Sequence, residues 1–161
     1  IRDTAFVIEV VGRRIMIIGS CACGKVAYEA DQLDGSVVHC HCDTCRKVHA
    51  SAFSSTARVQ RDHFRWLQGH ALIRNFESSR GKRRHFCRSC GTHLIAEWSH
   101  LDFVILRMGA VDTDPKSLPS MHIWYAQSPA WLRYGEELPH YSQGPKSSLM
   151  TPLRVESGPD K

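Results

Sequence analysis

At 161 residues and 18.2 kDa, the chain is long enough to bury one substantial core and needs no second domain. Hydrophobic residues at 42% and charged ones at 23% are those of an ordinary globular protein, and no apolar run approaches the ~20 residues that cross a bilayer, which excludes a helical membrane protein. The formal charge of +5 invites a nucleic-acid partner, an invitation that the cysteines described below largely withdraw.

Residues 1–15 read as a leader or non-native N-terminal extension, with Met16 as the natural start, although the alternation of Phe6, Ile8 and Val10 would let the segment pair as an edge strand. From Met16 onward the pattern predicts short strands over 16–19, 25–29, 37–39, 52–57, 64–67, 71–76, 82–86, 93–98 and 103–108, each bounded by Gly, Asp, Ser or His-rich turns. Helix is scarce: one or two turns over 42–49, and another over 129–134 with Pro129 at its start. From Ser142 the composition shifts to Ser, Pro, Gly and Lys. The reading is therefore a mainly β domain over 16–144 with short helical turns, followed by an extended or disordered tail over 145–161.

Seven cysteines fall in three tight groups: Cys21 and Cys23 as CxC, Cys40, Cys42 and Cys45 as CxCxxC, and Cys87 and Cys90 as CxxC. A disulfide framework would spread its thiols to staple distant loops, whereas these spacings bring sulfurs together around one ion. A closed structural zinc site takes four protein ligands and a catalytic one takes three, so two zinc ions would use every thiol. Spacing alone permits several partitions. The favoured one joins Cys21 and Cys23 to Cys87 and Cys90, ties an early strand to a late one, and would contribute on the order of 10 kcal/mol to folding. Cys40, Cys42 and Cys45 would then share a second ion with a position left open.

Subtracting seven charges for thiolates and adding four for two zinc ions leaves a net of about +2, too little for a nucleic-acid footprint. The local basic run from Arg80 to Arg84 reads as a solvated loop edge. Metal-holding thiols, with no signal-peptide pattern at the start, point to a reducing cytoplasmic location.

Five segments together resemble the glutathione-dependent formaldehyde-activating enzyme family, whose domain is shared with centromere protein V. They are GSCACG at 19–24, CHCDTCRK at 40–47, SAF at 51–53, FCRSCGTHL at 86–94, and HIW at 122–124 leading to LPHY at 138–141. The resemblance implies the small zinc-binding β fold termed Mss4-like, also found in type B methionine sulfoxide reductases. It implies a structural zinc on Cys21, Cys23, Cys87 and Cys90, and a catalytic one on Cys40, Cys42 and Cys45. The implied reaction joins formaldehyde to glutathione as S-(hydroxymethyl)glutathione, a carbon-sulfur lyase step with a small thiol as partner. Two further readings stay open: a zinc-binding interaction module without turnover, and a hydrolase using the same open metal. A nucleic-acid-associated module ranks last, because it calls for a long basic or Pro-rich extension.

Arg46 and Lys47 follow the third thiolate and are candidates to steady the carboxylates of glutathione, or else belong to an exposed turn. His41, between two ligands, is expected to point away from the metal, while His39, His49 and His93 are expected to be hydrogen-bonding neighbours rather than ligands. His122, Ile123, Trp124, Tyr125 and Trp131 are expected in the core, with a pocket wall as the alternative. Glu97 is either a general base or a strand-end carboxylate, and Trp98 carries the same ambiguity between pocket and packing. Ala50 stands where many family members have Gly, which argues against a positive φ in that loop.

Overall fold

Period-2 patterning organises the protein into two sheets, seen in a computed structural model that describes residues 16–132 together with 142, 147 and 148. The expected leader and nearly all of the expected tail lie outside the described residues. The chain falls into two units, Ile1–Ser128 and Pro129–Lys161. In the second, Leu132 N donates to Pro129 O at 3.0 Å, closing a turn where the sequence predicts a helix to begin; 133 and 134 lie outside the described residues.

The first unit is mainly β. A small antiparallel sheet is built from β1 (Ile17–Ser20), β2 (Ala27–Ala30) and β5 (Phe64–Gln68), in the order β1-β2-β5. A larger one contains β3 (Val37–Cys40), β4 (Ser54–Gln60), β6 (Ile73–Ser79), β7 (Lys82–Cys87), β8 (His93–Trp98), β9 (Phe103–Arg107) and β10 (Pro119–Ile123), in the order β10-β3-β4-β9-β8-β7-β6. Its central strands carry the densest apolar runs, Leu94 to Ala96 in β8 and Val104 to Leu106 in β9. Side chains from both sheets meet in one core: Ile17, Val26 and Tyr28 against Val59, Leu94, Ile95, Val104 and Leu106. Each fully buried Leu or Ile there contributes roughly 1.5–3 kcal/mol. Gly19 in β1 is required by this packing, since a Cβ would lie 2.3 Å from the Tyr28 ring.

Nine strands fall where the alternation predicts them, with ends shifted by a few residues. The tenth, β10, is not predicted. It lies on the sheet edge parallel to β3, with His122 beside His39 and Ile123 beside Cys40. All five of its residues are exposed and it opens on Pro119, so it has neither the alternation nor the start of an ordinary strand.

The one α-helix among the described residues, α1 (Asp43–His49), follows β3 directly. Cys42 caps it, its Sγ accepting from Cys45 N at 3.4 Å; Asp43 in the first turn and Arg46, Lys47 and His49 in the last complement the helix dipole. The helix ends on Ala50 in the left-handed region at φ 45°, ψ 44°. This corrects the expectation drawn from the missing Gly: the chain adopts the turn with Ala, and Ala50 N and Ser51 N donate to the last-turn carbonyls of Lys47 and Arg46 at 3.3 and 3.1 Å.

Candidate functional site

The cysteines meet as two groups, and all seven are free thiols. Cys21, Cys23, Cys87 and Cys90 form the first, their sulfurs all within 4.8 Å of one another. Each pair sits on a tight turn leaving a strand end. Gly24 N donates to Cys21 O and Gly91 N to Cys87 O, both at 2.8 Å, and both glycines have a positive φ, 70° and 74°. The turns are tied together where Ala22 N donates to Thr92 Oγ1 at 3.0 Å. Cys21 and Cys87 are part of the buried core, while Cys23 and Cys90 face outward. A tetrahedral zinc with Zn–S bonds of about 2.3 Å places its sulfurs roughly 3.8 Å apart. Cys21 and Cys23 stand 3.4 Å apart and Cys23 and Cys87 3.9 Å, so the four thiols fit such an ion.

The second group is Cys40, Cys42 and Cys45, also within 4.8 Å of one another. Cys40 ends β3, Cys42 caps α1 and Cys45 lies in its first turn, so one strand-to-helix corner presents all three. The donor set is three soft thiols with no fourth protein ligand grouped with them among the described residues, which suits a metal with an open position. Hydrogen bonding from the Cys40 thiol holds Cys45 well below the usual thiol range, with Cys42 and Arg84 adding to it against the cost of burial. Cys40 is pushed up in return, first by Cys45 and then by burial.

All three thiols line a cavity of about 560 Å³. More of its lining comes from the neighbouring strands: Lys82 and Arg84 of β7, Trp98 of β8, Arg107 of β9, Ile123 at the end of β10 and Trp124 just beyond it. Arg84 is only 2% exposed; its Nη2 approaches Cys45 Sγ at 3.7 Å and its Nε donates to Ser78 Oγ at 2.7 Å. This corrects the reading of the 80–84 run as a solvated edge: the pleat turns Arg83 outward and Arg84 inward. Lys82 stacks on Trp98, its Nζ 4.1 Å from the ring centroid. Lys82, Arg84 and Arg107 are the functional candidates that sequence reasoning missed. A signal for the first two existed, because strict alternation through KRRHFC puts Lys82 and Arg84 on one face.

The other candidates fall elsewhere. Arg46 and Lys47 do not line the cavity; Arg46 Nε donates to His41 O at 3.2 Å and its guanidinium pairs with Asp43. Glu97 accepts from His85 Nε2 at 2.8 Å and pairs with Arg61, a strand-end role away from the cavity. His41 is fully buried, with Nε2 2.9 Å from His122 Nδ1, and His39 Nδ1 lies 2.9 Å from Ser55 Oγ, so both are hydrogen-bonding neighbours of the thiol corner. His49 and His93 pack ring to ring, centroids 5.0 Å apart, in a second hollow behind α1. The expectation of a core position fails for all five residues: His122, Ile123, Trp124, Tyr125 and Trp131 are exposed. The alternative holds for Ile123 and Trp124, which wall the cavity.

Comparison with known proteins agrees with this geometry. A family model described as glutathione-dependent formaldehyde-activating enzyme matches residues 16–127 and takes in both thiol groups and the cavity. The chain belongs to this family. A solved Rhodobacter sphaeroides protein is similar in fold, with a TM-score of 0.54 at 21% identity, over 65% of this chain and 97% of that one. Among the described residues of this family member, no helix is long and apolar enough to cross a membrane.

Proposed function

We propose that the protein is a zinc-dependent carbon-sulfur lyase of the S-(hydroxymethyl)glutathione synthase kind, working at Cys40, Cys42 and Cys45 on glutathione or a related thiol and a small aldehyde. The observation that carries this reading is the opening of all three clustered thiols onto a cavity large enough for a small-molecule thiol. Cys21, Cys23, Cys87 and Cys90 would hold a second, structural zinc. A cytoplasmic setting, reducing and rich in thiols, suits both centres.

When bound by the three thiolates, zinc supplies Lewis acidity that favours a thiolate at neutral pH or polarises a carbonyl. The remaining work falls to the chain's own side chains. Arg84 offsets the negative charge of the thiolate corner through Cys45. Trp98, Ile123 and Trp124 offer apolar walls that would hold the two reactants together, and Thr44 and Gln127 add polar side chains to the lining. In the synthetic direction a carbon-sulfur bond forms, the carbonyl π bond opens, and the thiol proton ends on the new alcohol oxygen; the lyase direction reverses each change. No other reactant is consumed.

The test is formation of S-(hydroxymethyl)glutathione from formaldehyde and glutathione, followed by proton NMR exchange spectroscopy against the spontaneous rate. Acceleration by the zinc-loaded protein that disappears in Cys42→Ser supports the reading. A rate equal to the spontaneous one, with both metals bound, overturns it.

A further inference from the structure

The charges around the cavity do not balance. Lys82, Arg84 and Arg107 contribute three cations to the wall, and no Asp or Glu is among the described residues lining it. With neutral thiols the surplus is three positive charges. With three thiolates around a divalent metal the corner carries a formal charge of −1, and two positive charges still lack a counterion.

Two of these cations are also short of hydrogen-bond acceptors. Arg107 is 5% exposed; its Nη1 donates to Ser54 Oγ at 3.4 Å, while Nε and Nη2 are buried without a hydrogen-bond partner among the described residues. Nε and Nη2 form one edge of the guanidinium plane, the edge whose parallel N–H groups match the two oxygens of a carboxylate. Arg84 leaves Nη1 equally unpartnered beside the thiol corner. Burial and the nearby Arg84 together press the Arg107 guanidinium below its usual range, down to about 10. Buried guanidinium groups that repel each other and keep free N–H donors are costly unless an anion completes them.

We propose that the cavity selects a ligand bearing a carboxylate, gripped by the free fork edge of Arg107 and by Arg84 while the ligand's sulfur faces Cys40, Cys42 and Cys45. Lys82 is held against Trp98 and adds to the field without needing to touch the anion. This rests on reading the cavity as a substrate site, and it assigns anion recognition to β7 and β9 rather than to Arg46 and Lys47 of α1.

The test compares 3-mercaptopropionate with its methyl ester, which keeps the thiol and removes the charge, by calorimetric titration of the full, zinc-loaded chain. The acid should bind the wild-type protein about tenfold or more tighter than the ester, and propionate alone should compete with it. In Arg107→Gln the preference should fall to about twofold or less, and Arg107→Lys, which keeps the charge but not the fork, should lie between the two. Circular dichroism of both variants controls for folding, and the wild-type acid-to-ester ratio needs no variant at all. Equal binding of acid and ester, or a preference undiminished in folded Arg107→Gln, overturns the proposal. The two readings fail separately: a carboxylate preference without formaldehyde turnover keeps the anion site and sinks the lyase, whereas turnover without the preference does the reverse.

Discussion

The four-thiol and three-thiol groups assemble the same side chain in opposite ways. The first is built from two turns about 65 residues apart in sequence, with Cys21 and Cys87 sunk in the core, so a metal there closes the fold the way a long-range crosslink does. The second is local, formed within six residues at one strand-to-helix corner that the backbone hydrogen bonds of β3 and α1 already shape. On the proposed reading, a metal in the first group would turn its affinity into folding free energy, and one in the second would leave it available for a ligand, because those thiols line a cavity that also carries three cations. The spread of the ligands along the chain, more than their number, is what that reading uses to tell the two apart.

The largest test of this contrast is a pair of substitutions. Cys87→Ser should cost a large part of the ~10 kcal/mol that a structural zinc supplies and leave the chain largely unfolded, whereas Cys42→Ser should give a folded protein with one metal per chain. Metal analysis together with far-ultraviolet circular dichroism reads both, and collapse of the two variants alike would erase the distinction. Next comes chelator titration. One metal equivalent should leave well before the other with the melting temperature still near its starting value; simultaneous release with unfolding would mean the centres are not separable.

Smaller effects probe α1, the helix that carries two of the three clustered thiols. Burial, aided by Arg107, His93 and Arg84, holds the His49 imidazole down to about 3 from its usual 6.5. Its folded pKa lies below the unfolded one, so its contribution is intact above about pH 6.5 and is lost as pH falls toward 3. By pH 5 this amounts to about 1 kcal/mol once solvent screening is allowed for, and the fall in melting temperature from pH 7 to 5 should be shallower in His49→Asn. Equal slopes in both proteins would remove His49 from the account. Ala50→Gly relieves a left-handed Ala and should stabilise the protein by about 1 kcal/mol in urea denaturation; destabilisation would show that the Ala methyl packs usefully. Arg46→Ala, which removes the pair with Asp43 and the hydrogen bond from Arg46 Nε to His41 O, should cost about 1 kcal/mol and leave thiol binding unchanged.

Much of this was legible in the chain. Period-2 runs such as HLIAEW and FVILR give strands wherever one face must be buried, and β8 and β9 fall there. β10 escaped because an exposed edge strand has no apolar face to announce it. The cysteine groups were legible because metal ligation fixes both residue type and short spacing, although the pairing of distant groups stayed open until the sheets brought β1 beside the β7 end. Arg84 and Arg107 were missed for a different reason: alternation puts Arg84 on one face of its strand with Lys82, but it does not say that this face is enclosed. An arginine in a strand is ordinarily solvated, and only the arrangement of β7, β8 and β9 beside α1 shows that these two are enclosed.

The sequence by itself determined the donor chemistry: seven thiols in groups of two, three and two, a mainly β chain to carry them, and the family to which it belongs. The tertiary structure decided which residues face those thiols. Covalent spacing sets what can share an ion within a turn, whereas the wall of a cavity is assembled from strands far apart in sequence, and their side chains acquire a common neighbour only when the sheet closes.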